Sequence, residues 1–94
     1  MRRVFDMSDV NDTLKERNAT HGDYTVHARI TQDLMRVMSA GPNWLTLKDT
    51  QRESLHMVAH KIGRILAGDP DHIDSWHDIA GYSVLIENEL KKDN

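Results

Sequence analysis

An all-α fold, an antiparallel bundle of about four helices in a single domain over residues 1–94, is predicted by three features of the sequence. Apolar residues recur at intervals of three and four, the period of a helix with one buried face. The two prolines, Pro42 and Pro70, each stand within two residues of a glycine, in "SAGPNW" and "LAGDPD", and divide the chain into blocks of helical length. No segment alternates apolar and polar residues, so nothing in the chain patterns a sheet.

The first helix is expected over residues 8–18, where Val10, Leu14 and Arg17 keep helical spacing and Ser8 can cap the first turn for about 1 kcal/mol. "ATHGDY" closes it. The second is expected over 23–40, with Val26, Ile30, Leu34 and Val37 on one face and Gly41 placed for a left-handed residue after the last turn. The third, over 48–67, repeats Leu55, Val58, Ala59, Ile62, Ile65 and Leu66 until Gly68, and "TQRE" at 50–53 reads as a capping box. The fourth, over 71–91, starts from Asp71 as cap and carries Ile73, Trp76, Ile79, Ala80 and Val84, with Trp76 as the expected core anchor. Met57, Leu85 and Ile86 fall outside these stripes. One small chain does not readily cover them, so a homodimer or higher homo-oligomer is expected.

Composition excludes several classes of function. Charged residues are 29% and hydrophobic residues 38% of the chain, a globular balance, and the formal net charge of -3 gives no general attraction for nucleic acid. There is no cysteine, which removes disulfides and thiolate metal sites. No run approaches the ~20 apolar residues of a membrane span, and "MRRVFDMSDV" lacks the apolar core of a signal peptide. A soluble, cytoplasmic protein is expected.

The chemistry concentrates on the third and fourth helices. At about 100° per residue, Glu53, His56 and His60 share a polar side of the third helix, with Arg64 close by. On the fourth, Asp74 and Asp78 stand one turn apart. If the two stripes face each other, three carboxylates converge and need water, a proton or a cation between them. Oxygen ligands of that kind suit Mg²⁺ or Mn²⁺. The competing reading is solvated surface, in which acidic residues near a helix start favour the macrodipole. His56 and His60 have the i, i+4 spacing of zinc helices, but Met57 stands where a zinc protease needs Glu. Lys61 and Arg64 either bind phosphate or solvate the last turns of their helix.

Three segments, "ERNATHGDY" at 16–24, "QRESLHMVAHKIGRILAGDP" at 51–70 and "DSWHDIAGYSVL" at 74–85, resemble a small domain family of tailed bacteriophages and prophages. The resemblance spans residues 14–90. Its helical layout is similar to the all-α nucleoside triphosphate pyrophosphohydrolases, the MazG-like group, whose short helical subunits oligomerise and hold Mg²⁺ between an E-x-x-E pair and an acid-x-x-Asp pair. Glu53 fits the first acidic position and Asp78 the last. His56 stands where the second carboxylate is expected, and Asp74 lies four residues before Asp78 instead of three.

The resemblance implies a bacterial host cell and a definite site. Mg²⁺ or Mn²⁺ held by Glu53, Asp74 and Asp78 would bridge triphosphate oxygens, with Glu53 the catalytic carboxylate and His56 and His60 auxiliary ligands. Lys61, Arg64, Arg17 and His21 would offset charge on the leaving pyrophosphate, and Tyr24 or Tyr82 would contact the base. A nucleotide-binding protein without hydrolysis is the milder form of this reading. The alternative from another class is a non-enzymatic phage protein that binds a host or defence component through helix faces and needs no metal.

Overall fold

A computed structural model describes residues 7–93, without the side chains of residues 7–9 and 17. The expected Ser8 cap and the Arg17 phosphate contact lie outside the described residues. Four α-helices follow one another: α1 (Met7–His21), α2 (Tyr24–Ser39), α3 (Asp49–Ala67) and α4 (Ile73–Asp93), with a 3₁₀ turn at Trp44–Thr46 before α3. Among the described residues there is no strand. The all-α bundle read from the periodicity is the observed fold, and no described helix is long and apolar enough to cross a membrane.

The helix ends follow local chemistry. Asp23 caps α2, its Oδ1 accepting from the backbone N–H of Thr25 at 2.8 Å and of Val26 at 3.3 Å, worth about 1 kcal/mol. α1 runs past Asn18 to His21, because nothing before Gly22 requires a change of backbone hand; Gly22, at φ 81°, makes that change. Three expected caps are corrected. Gly41 is not left-handed, since α2 ends in a tightened turn in which the Ala40 and Gly41 N–H groups donate to Val37 and Met38 carbonyls. The box before α3 lies two residues earlier than "TQRE": Lys48 holds the cap position and its N–H donates to Gln51 Oε1 at 2.9 Å. Asp71 caps nothing, because Asp69 Oδ1 instead accepts from the Asp71 N–H at 2.9 Å and folds the turn ahead of α4.

α3 is the centre of the fold. α2 packs on one side of it and α4 on the other, without an appreciable contact between those two. Gly63 admits α2 closely: a Cβ there would collide with His27 Cδ2 and stand 2.7 Å from Thr31 Oγ1. His27 and Thr31 are both buried at this seam. α4 runs antiparallel to α3, with Thr50 Oγ1 donating to Glu89 Oε2 at 2.7 Å, Lys61 Nζ paired with Asp78 Oδ2 at 2.8 Å, and Lys48 paired with Asp93 at the end.

The packed face of α4 is therefore a mixed row through Ser75, Asp78, Tyr82, Ile86 and Glu89, matched to Thr50, Ser54 and Lys61 of α3. Polar complementarity with α3 outweighs the apolar stripe read from the sequence. Ile73, Trp76, Ala80 and Val84 face away, and Trp76, the expected core anchor, is 56% exposed, with its Nε1–H donating to the Pro70 carbonyl at 2.8 Å. Among the described apolar residues only Ala59 is buried.

Candidate functional site

The junction of α1, α2 and α3 builds a cavity from its backbone upward. Gly22 and Gly68 meet there: a Cβ on Gly22 would overlap the Ala67 carbonyl, and one on Gly68 would overlap the Thr20 carbonyl. The Asp69 N–H donates to Thr20 O at 2.8 Å and locks the two glycine turns together. This pins the end of α1 and the start of α2 against the last turns of α3. Asn18, His21, Tyr24, His27, His60 and Arg64 then line one cavity of about 380 Å³, within the range of small-molecule sites.

Its electrostatics favour an anion. The lining includes a guanidinium, three imidazoles, an amide and a phenol, and no carboxylate. His27 Nε2 donates to the His60 carbonyl at 3.0 Å, which leaves His27 Nδ1 as the unprotonated nitrogen of the neutral ring. The His27 and His60 rings stand 4.4 Å apart, and Tyr24 meets His27 edge-on at 6.4 Å. Burial, followed by repulsion from His27, Arg64, Lys61 and His56, holds His60 down to about 4. His27 is lowered too, chiefly by burial and then by Arg64 and Lys61 against the opposing effect of its hydrogen bond. Both rings are thus neutral at pH 7 in a positive field. Arg64 Nε–H is itself buried without a hydrogen-bond partner among the described residues, while the Arg64 side chain lines the cavity.

Four of the residues singled out from the sequence thus meet in one place: His21, Tyr24, His60 and Arg64. The carboxylates do not. Thr50 is level with Glu89 and Lys61 with Asp78, so in the same register Glu53 is level with Ile86 and Asp74 with Ile65. Glu53 and Asp74 are thereby separated by about 18 Å along the helix pair. Each expected ligand has another neighbour: Glu53 has His56 at 3.9 Å, Asp74 has His72 at 3.8 Å, and Asp78 has Lys61. Among the described residues no three metal-ligating side chains come together. The facing of the two acidic stripes is corrected accordingly, and Glu53, Asp74 and Asp78 do not fit a shared Mg²⁺ or Mn²⁺ within one chain. Lys61, expected as a phosphate contact, is 8% exposed and occupied by Asp78.

A family profile matches residues 7–90. The chain belongs to the DUF6378 family, a domain of unknown function. No curated protein and no solved structure matches it. The DUF6378 match takes in α1 to α3 and α4 as far as Leu90, and with them both glycine turns and every described residue of the cavity.

Two members of the site were not singled out by sequence reasoning. His27 sits on the inner face of a helix whose sequence stripe is read from Val26, Ile30, Leu34 and Val37, and Asn18 in a helix tail. The signal that could have found His27 is its i, i+4 relation to Thr31, two polar residues on the inner face of α2.

Proposed function

We propose that this DUF6378 domain binds a small phosphate ester, a nucleotide in the first instance, in the cavity between α1, α2 and α3. The observation that carries the reading is the lining: Arg64, His60, His27 and His21 around one cavity with no carboxylate among them. Arg64 is the fixed charge, and its fork suits two oxygens of a phosphate. The His27 and His60 imidazoles, neutral without a ligand, supply donors that become charged when an anion enters. Tyr24, 75% exposed at the rim, offers a ring on which a base can stack outside the charged interior. Asn18 adds an amide that both donates and accepts.

Binding is favoured over hydrolysis because Glu53 stands apart from Asp74 and Asp78 along the α3–α4 pair, so the three carboxylates of the hydrolase reading do not converge. Calorimetric titration with nucleoside mono-, di- and triphosphates, with and without Mg²⁺, tests this directly. Binding that Arg64→Gln weakens about 10- to 100-fold supports the proposal, since a charge-assisted hydrogen bond contributes about 1.5–3 kcal/mol. Equal affinity in the variant contradicts it. Mg²⁺-dependent release of pyrophosphate would restore the hydrolase reading. On a separate observation, the burial of Ala59 alone among the described apolar residues, we also propose that the protein is a homo-oligomer.

A further inference from the structure

The helices α2, α3 and α4 form one layer, with α3 in the middle. A stable domain needs a second layer against the apolar side of the first. On α3, Leu55, Val58, Ile62 and Leu66 form a stripe between the two flanking helices, at intervals of three and four residues. Two open clefts flank this ridge and share Leu47, Leu55 and Val58. One, of about 460 Å³, lies toward Leu34 and Met38 of α2. The other, of about 290 Å³, lies toward Tyr82 and Ile86 of α4. None of the residues lining either cleft is charged, in a chain that is 29% charged.

We infer that this face is closed by a second copy of the same chain, packed layer to layer about a two-fold axis that passes beside Leu55 and Val58. The inference rests on the homo-oligomer proposed above and adds the face and its symmetry. A two-fold interface brings a patch against itself, so a patch with no charges meets no like-charge repulsion from its own copy. The area agrees. The chain exposes 7183 Å², where a compact monomer of its 10.8 kDa exposes about 5,500 Å². Even with full exposure granted to the seven residues outside the description, a surplus of about 800 Å² per chain remains, the share each partner buries in a standard interface. Among the described apolar residues only Ala59 is fully covered within one chain, and a second copy is the partner always present to cover the rest of this face as the chain folds. His60 and Arg64 lie about 140–180° around α3 from Leu55, so the phosphate cavity stays open on the outside of the pair.

The absence of cysteine makes the test specific. Val58→Cys and Leu55→Cys should each form a disulfide-linked pair of chains under mild oxidation, while Ile73→Cys, on the outer face of α4 and 80% exposed, should not. The parent should sediment as two chains, with a melting temperature that rises with protein concentration. A monomer with a concentration-independent melting temperature overturns both the oligomer and the face. Two chains that link through Ile73→Cys, or through neither Val58→Cys nor Leu55→Cys, overturn the face alone. The concentration dependence is read on the parent protein, so it decides even if a cysteine variant fails to fold. A linked pair that still binds nucleotide through Arg64 separates this interface from the cavity.

Discussion

Lys61 Nζ and Asp78 Oδ2 stand 2.8 Å apart across the α3–α4 interface, with the lysine buried and the carboxylate partly in water. The hydrogen bond from Lys61 holds the Asp78 carboxyl below the usual carboxylate range. Asp78→Asn should therefore destabilise the protein by leaving a buried ammonium uncompensated. Lys61→Met in the same chain should recover most of the loss, because the buried charge goes with its partner. Urea midpoints of the parent, both single variants and the double variant measure this coupling. Crowded carboxylates around a metal site predict the opposite sign for Asp78→Asn without metal.

The two helical glycines Gly63 and Gly81 should respond in opposite directions to alanine. At Gly63 the new methyl meets His27 and Thr31, and the cost should be about 1–3 kcal/mol from overpacking. At Gly81 it meets nothing within 4 Å, and the gain in helix propensity should be about 0.5–1 kcal/mol. Chemical denaturation of the two variants side by side tests the seam between α2 and α3.

Trp76→Ala should cost only about 1 kcal/mol, the scale of its one hydrogen bond to Pro70, instead of the ~3–5 kcal/mol of a buried tryptophan. A loss at the upper scale would place Trp76 in an interface.

Acid should destabilise the protein through His60 before it reaches the carboxylates. The folded protein holds His60 at about 4 while the unfolded chain protonates it near 6.5, so between these values the unfolded state binds more protons. Stability is then complete above the unfolded value and falls as the pH drops toward 4. His27, also lowered, acts in the same direction. Asp78, lowered from 3.8, adds its own loss below that window. His60→Gln should flatten the melting-temperature profile between pH 6.5 and 4; an unchanged slope would remove His60 as its source.

The fold was legible because apolar spacing and the glycine–proline breaks report local helix geometry, which tertiary contacts here do not override. The orientation of α4 was not. Its sequence carries two usable faces, and the choice between them depends on Thr50, Ser54 and Lys61 of another helix. The residues of the cavity were partly legible: His21, Tyr24, His60 and Arg64 stand out as chemistry-bearing types. That they meet depends on Gly22 and Gly68 touching across 46 positions of sequence, which no local pattern encodes. The acidic stripes misled for the same reason, since spacing gives the angle around a helix but not the level at which its partner lies.

The cavity's claim to an anion is tested most directly by following the histidine ring resonances while inorganic pyrophosphate is added at several pH values. A phosphate seated against Arg64 should shift the His27 and His60 signals, raise the ionisation of His60 well above about 4, and take up protons as it binds. Arg64→Gln should abolish these changes and leave the free protein's spectrum otherwise intact. Histidine signals that stay fixed at millimolar pyrophosphate, with His60 still titrating near 4, would contradict the account.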